Sequence, residues 1–154
     1  MGASKKLMEE LILTYSSVFP IKTARFANVA FSNGSLPLGF VNRINKNQPL
    51  SCPLGIRRFF ISPIESGQLC LIASILGESG DIFFPKLDEK KDMILFDKIA
   101  IDFLNYLDLK ADVCITEEEA IKKSHLIGTK TTNYPIYFFE SDTSGEKSFE
   151  EFYT

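Results

Sequence analysis

Strand-like runs alternate with helix-start signals along nearly the whole chain, and that alternation limits the fold more than any other feature. The sharpest instance is Arg57-Arg-Phe-Phe-Ile61 followed at once by Ser62-Pro63-Ile64-Glu65. The first run has the aromatic and β-branched character of a strand. The second is a capping box, with Ser as cap, Pro at the first helical position and Glu at the third. That helix should run through Leu69, Ile72 and Ala73 and stop near Gly77.

The same reading extends in both directions. Leu7, Met8, Leu11, Ile12 and Tyr15 recur at helical spacing, with Ser4 or the residue before it as the start. Ile21 to Ala27 reads as a short strand, Asn28 to Ser35 as a polar loop, and Leu36 to Asn45 as a helix with Pro37 in its first turn. Asp81 to Phe84 is expected to be a buried strand, and Pro85 to Asp92 a charged loop. A helix is expected from Phe96 to Leu107, with Ile99, Phe103 and Leu107 on one face. Val113 to Ile115 should be a short strand, and Thr116 to Glu119 a second capping box that opens a helix to about Ser124. Gly128 to Asn133 reads as a connector, Tyr134 to Phe139 as an aromatic strand, and Ser148 to Glu151 as a last helical turn. Strands alternating with helices predict an α/β fold with partly parallel strands.

Composition removes several function classes. The chain has 154 residues, of which 45% are apolar and 24% charged, as expected of one globular domain. Its 17 Lys and Arg are scattered and the net charge is −3, so nucleic acid and anionic membranes are not expected partners. The longest nearly apolar run, Leu69 to Leu76, is too short to span a bilayer. The N-terminus turns acidic at Glu9 and Glu10 where a signal peptide would turn apolar, which predicts a cytoplasmic protein. Three separated cysteines (Cys52, Cys70, Cys114) are expected to be reduced, buried thiols. With one histidine, His125, read as a surface residue, neither a zinc site nor a Ser-His-Asp triad is expected.

Two stretches could carry chemistry. From Asn28 to Pro37 a strand leads through Ser-Asn-Gly-Ser into a helix N-terminus, whose free N–H groups suit phosphate or sugar hydroxyls. The competing reading is a turn that uses Gly34 for its backbone geometry alone. Arg57 and Arg58 are adjacent in a strand, so only one of them can face a given site. An arginine there has the planar fork to hold a diphosphate, or is an edge-strand charge. Glu65, the Glu117 to Glu119 run and the Asp88 to Asp92 loop need no function. The Phe pairs 59/60, 83/84 and 138/139 are expected in the core.

Taken together, five stretches resemble the C-terminal half of the nucleotide-sugar 4,6-dehydratases, which are extended short-chain dehydrogenase/reductases. They are Met1-Gly-Ala-Ser-Lys5, Thr23-Ala-Arg-Phe-Ala-Asn-Val-Ala-Phe-Ser-Asn-Gly-Ser35, Arg58-Phe-Phe-Ile61, Asp81-Ile-Phe-Phe-Pro-Lys86 and Ser144-Gly-Glu-Lys147. They follow the family's order, and the run from Gly145 to Phe152 is most similar to the branch feeding legionaminic-type sugars.

The resemblance implies removal of water from UDP- or GDP-N-acetylglucosamine to give a 4-keto-6-deoxy sugar, with NAD taking hydride from C4 and returning it to C6. It implies that Lys5 is the motif lysine at the nicotinamide ribose and the catalytic region. Met1 falls at the motif tyrosine position, and a thioether cannot exchange a proton. Asn28, Gly34, Ser35, Arg58 and Glu146 would bind the substrate. Thr143 and Ser144 stand where the Arg-Pro preceding the family's Gly-Glu-Lys would be, so the arginine of the second phosphate contact that the resemblance implies is not matched. Without the family, Lys5 reads as an exposed lysine in a first helical turn.

The implied fold is the C-terminal part of a Rossmann-type enzyme with a small mixed α/β substrate domain. Residues 1–34 would end the NAD-binding domain, 35–154 would mainly hold the nucleotide sugar, and 81–92 would return to the Rossmann-type sheet. The Gly-x-x-Gly-x-x-Gly fingerprint and the acid and lysine for water elimination are absent from the chain and belong upstream in this family. The expected partner is therefore the enzyme's N-terminal half, with homo-oligomer formation also open. The chain alone is expected to associate or to be marginally stable, with the first helix uncovered. An epimerase on the same scaffold, a non-catalytic nucleotide-sugar-binding fragment and a truncated reading frame are the alternatives.

Overall fold

A computed structural model describes residues 2–128 and 132–142. Six helices and eight strands are present among them. In order they are α1 (Gly2–Thr14), β1 (Thr23–Ala24), β2 (Asn28–Val29), α2 (Leu36–Asn45), β3 (Leu50–Pro53), β4 (Arg57–Ile61) and α3 (Pro63–Leu76). There follow β5 (Ile82–Phe83), α4 (Glu89–Asp92), β6 (Met93–Leu95), α5 (Phe96–Tyr106), β7 (Lys110–Cys114), α6 (Glu117–Ser124) and β8 (Asn133–Phe139).

The strands form three small sheets. β1 pairs in parallel with β5, and β2 pairs in parallel with β4, which also pairs antiparallel with β6. β8 lies between β3 and β7, parallel to both. Parallel neighbours require crossovers, and helices supply them: α6 links β7 to β8. The mixed α/β fold with parallel strands is thus present.

Local chemistry accounts for the helix starts. Ser62 Oγ accepts from Glu65 N at 3.1 Å, while Ser62 N donates to the Glu65 carboxylate at 2.6 Å. This closes the expected capping box. α2 starts at Leu36 with Ser35 as its cap and Pro in the first turn. At α6 the box is shifted. Thr116 Oγ1 accepts from Glu119 N, but the Glu119 carboxylate accepts from Ile115 N instead of Thr116 N.

The main core lies between α2, α5 and one face of the β3–β8–β7 sheet. It contains Phe40, Leu50, Cys52, Ala100, Leu104, Tyr134 and Ile136. Leu50 and Cys52 alternate along β3, and Tyr134 and Ile136 along β8, as one buried sheet face requires. A second, smaller core contains Ala27, Phe59 and Ile61, with Val29, Leu87 and Met93 against it.

Several expectations are corrected. α1 begins at Gly2, so Ser4 lies inside the helix and does not cap it. Only Thr23–Ala24 of the 21–27 run pairs as a strand, and Asn28–Val29 pairs separately, within the expected loop. β5 and Phe84 are half-buried and Asp81 is exposed, because the sheet has just two strands. Leu107 sits past the end of α5 and is exposed, whereas Ala100 and Leu104 face the core. Of the Phe pairs, only Phe59 is fully buried. Cys70 is exposed on α3, unlike Cys52 and Cys114. Burial, with Asp97 adding to it, pushes the Cys52 thiol up to about 12. Burial also raises the Cys114 thiol. Neither is a nucleophile at neutral pH. β3, β6 and the single turn α4 were not foreseen. The expected helical turn at 148–151 lies outside the described residues.

Two predictions follow from this packing. A methyl at Gly77 would stand 2.6 Å from the Ala73 carbonyl oxygen and 2.8 Å from the Phe83 ring. Gly77→Ala should therefore lower stability by about 1–3 kcal/mol in urea unfolding, by forcing α3 away from β5. In native protein a thiol-specific chromogenic reagent should titrate Cys70 promptly, and Cys52 and Cys114 only after unfolding.

Candidate functional site

Asn28 and Arg58 come from segments far apart in sequence, and the β2–β4 pairing brings them to one sheet face. In the parallel register Asn28 lies opposite Phe60, and Val29 opposite Ile61. Val29 and Ile61 belong to the small core, so Asn28 and Phe60 take the other face. Arg58, two residues before Phe60, shares that face. Arg57 takes the opposite side and forms an exposed pair with Glu89 at 3.4 Å. β4 is the central strand of its sheet, so the reading of these arginines as edge-strand charges is corrected.

Arg58 is buried, at 9% exposure. Its Nη1 donates to the Arg57 carbonyl at 2.8 Å, and its guanidinium carbon lies 5.9 Å from the centre of the Phe96 ring. Phe60 packs on the same ring, with centres 6.0 Å apart. Phe96 is held there because its N–H, at the start of α5, donates to the Ile56 carbonyl at 3.0 Å. The result is a guanidinium fixed against an aromatic plate. Asn28 Nδ2 donates to the Phe59 carbonyl at 3.1 Å, which fixes the side-chain amide against β4.

The loop after β2 leads directly to the start of α2. Gly34 has φ +80, a left-handed conformation that a side chain would strain, with open space where a Cβ would stand. Ser35 Oγ accepts from Leu38 N at 3.4 Å, so its hydroxyl acts as the helix cap. Both the turn reading and the helix-terminus reading of this segment describe features that are present. Phe31, in the same loop, has φ 58 and is 57% exposed. An aromatic residue in that backbone region stores about 1–3 kcal/mol of strain.

Lys5 is exposed on α1. One turn further along, Glu9 forms a two-pronged ion pair with Arg25. Arg25 Nε donates to one carboxylate oxygen at 2.8 Å and Nη2 to the other at 2.5 Å. Arg25 N also donates to the Phe83 carbonyl at 2.7 Å. The pair thus fastens the helix that carries Lys5 to the segment that runs into Asn28. Met1 and Glu146 lie outside the described residues. Among the described residues no group of side chains could hold a metal ion, and no helix is long and apolar enough to cross a membrane. Sequence reasoning missed Phe60, Phe96 and Phe31. Phe60 was accessible from its two-residue spacing to Arg58, whereas Phe96 arrives only through the tertiary fold.

The profile described as polysaccharide biosynthesis protein matches residues 1–132. Among curated proteins, the UDP-glucose 4-epimerase of Rickettsia bellii (strain OSU 85-389) is 36% identical over 94 residues, covering 56% of this chain and 27% of the relative. The UDP-glucose 4-epimerase of Rickettsia canadensis is 34% identical over 92 residues with the same coverage. The chain thus spans about a quarter of the length of these relatives. Among solved structures, Pen from Bacillus thuringiensis superposes with a TM-score of 0.69 at 24% identity, covering 99% of this chain and 42% of that one. That likeness concerns the fold.

The Glu9–Arg25 pair has a pH signature. The hydrogen bonds from Arg25 hold the Glu9 carboxyl below its ordinary 4.5. A depressed carboxyl stabilises the fold above the unfolded-state value and ceases to do so as pH falls through the folded-state value. Glu9→Gln should therefore lower stability at pH 7 by about 1 kcal/mol. That difference should shrink as pH falls below 4.5 and vanish below the folded-state value, as followed by urea unfolding at several pH values.

Proposed function

The chain belongs to the polysaccharide biosynthesis protein family, and from that membership we propose that it forms the nucleotide-sugar-binding part of a 4,6-dehydratase. The substrate in this reading is UDP- or GDP-N-acetylglucosamine, and the product is a 4-keto-6-deoxy sugar nucleotide. The observation that carries it is the shared face of Asn28 and Arg58, with the guanidinium held against Phe96. A planar cation fixed before binding loses little freedom when it grips a diphosphate in two places.

In this reading Arg58 binds the diphosphate, and the Gly34–Ser35 turn lies along it. Asn28 offers its amide to the sugar, and Glu146 takes the nucleotide ribose. Lys5 takes the nicotinamide ribose. Met1 stands where the motif tyrosine would, and its thioether moves no proton, so proton transfer falls to another group. NAD, when bound, supplies a reversible hydride acceptor. Lys5, exposed on α1, fits an edge contact with it, and the sequence has no Gly-x-x-Gly-x-x-Gly to cradle its pyrophosphate. Residues 1–34 and 81–92 would belong to an extended short-chain dehydrogenase/reductase sheet, and 35–154 mainly to the substrate side. Pairing of β1 with β5 supports that division. The working enzyme would be cytoplasmic and would combine this part with a fingerprint-bearing N-terminal half, or assemble copies of the chain.

A second reading, a nucleotide-sugar epimerase, is favoured by the names of the Rickettsia relatives. The two separate by product. Incubation of the chain, and of any longer protein containing it, with NAD and UDP-N-acetylglucosamine should give a nucleotide sugar lighter by one water. A product of unchanged mass with altered stereochemistry would establish the epimerase instead. For the binding role, calorimetric titration with UDP-N-acetylglucosamine should show affinity lost about tenfold or more in Arg58→Ala and only partly recovered in Arg58→Lys. Equal binding by all three proteins, each folded by circular dichroism, would refute the role given to Arg58.

A further inference from the structure

A groove of about 600 Å³ opens on the other side of the β3–β8–β7 sheet and shares no residue with the Asn28, Ser35 and Arg58 set. It exists because α6 has eight residues and packs on β8 and β7, leaving β3 less covered on that face. Leu50 and Cys52 are packed in the main core, Leu50 also reaching the groove, and Ser51 takes the opposite face of β3 and lines the groove. Ser51 lies opposite Tyr137 in the parallel register, and both line the groove. The Tyr137 ring stacks with that of Phe139, with centres 6.3 Å apart and planes inclined by 26°. The floor is therefore an aromatic ledge beside a hydroxyl.

The walls mix donors with acceptors. On one side stand Arg43, held by its Nη1 bond to the Pro49 carbonyl at 3.1 Å, and the amides of Asn47 and Gln48. On the other side stand Glu117 and His125. A phosphate would use only donors, and two features oppose it. Glu117 is a carboxylate, and α2 directs its C-terminal, partly negative end here, while α6 lies lengthwise along the groove. Arg43 and Lys46, in the last turn and at the C-cap of α2, offset that helix end. Hydroxyl groups donate and accept at once, so they match such a wall, and the apolar face of a sugar ring matches the Tyr137 ledge.

We propose that this groove is a binding site for an uncharged saccharide, free of any nucleotide. The site does not depend on the function assigned to Arg58. The test is an amide-resolved NMR titration of the ¹⁵N-labelled full chain with N-acetylglucosamine, and separately with inorganic phosphate at matched ionic strength. N-acetylglucosamine should shift the amides of Gln48, Ser51, Ala120 and Tyr137 to saturation, and phosphate should not. Tyr137→Leu keeps an apolar side chain in β8 and should weaken the sugar about tenfold. Gln48→Ala, at an exposed position, should weaken it with the remainder of the spectrum unchanged. The proposal is overturned if sugar shifts are absent from the groove, if they appear only around Asn28 and Arg58, if phosphate shifts the groove equally, or if both variants bind as the parent does.

Discussion

The parallel pairing of β2 with β4 is the constraint on which the candidate site depends. Two residues of β2 suffice: Asn28 opposite Phe60 and Val29 opposite Ile61. A parallel pair cannot be closed by a tight turn, so the chain must travel away and return between them. That excursion is α2 and β3. The register also assigns faces. Because Val29 and Ile61 are committed to the small core, Asn28, Arg58 and Phe60 are committed to the other side. A slip of one residue would send Asn28 into the apolar cluster and separate it from Arg58.

Arg58 is a charge buried in the sheet. Burying a guanidinium carries a desolvation cost of several kcal/mol that an apolar side chain in the same slot would avoid. Part of that cost is offset by the bond to the Arg57 carbonyl and by the Phe96 ring. Arg57 shows the contrast: on the opposite face it keeps its exposure and forms an ordinary surface ion pair with Glu89.

What could be read from the sequence was whatever is encoded within a few residues. Ser62, Pro63 and Glu65 specify the start of α3 by contacts within one turn, and Ser35 and Pro37 do so for α2. β4 was legible because its five residues share one character. β3 was not, since Leu50-Ser-Cys-Pro53 sits between prolines and gains strand geometry only by pairing with β8. β6 follows a charged turn and exists through its bonds to β4. The candidate site shows the same division. Asn28, Gly34 and Ser35 are visible in one loop, and Arg58 in one strand. Their assembly, and the part of Phe96, depend on pairings that no local pattern records.

The same reasoning bears on the helices. α1 exposes Leu7, Met8 and Leu11, with Tyr15 exposed just past its end, and α3 exposes Ile64, Leu71, Ile75 and Leu76. Beside them, β1 and β5 form a parallel sheet of only two strands. Parallel strands are ordinarily buried on both faces, and two strands alone are marginal in water. The larger core between α2, α5 and the β3–β8–β7 sheet must therefore provide most of the stability of the described residues. The ion pair from Glu9 to Arg25 and the bond from Lys22 Nζ to the Ser74 carbonyl at 2.7 Å then tether α1 and α3 to β1 and its flanks. Polar tethers fix orientation but add little free energy at partly exposed sites. The uncovered faces are thus the part of the fold in which sequence patterning and described packing disagree most, because an apolar stripe evolved on a helix is a demand for a neighbour.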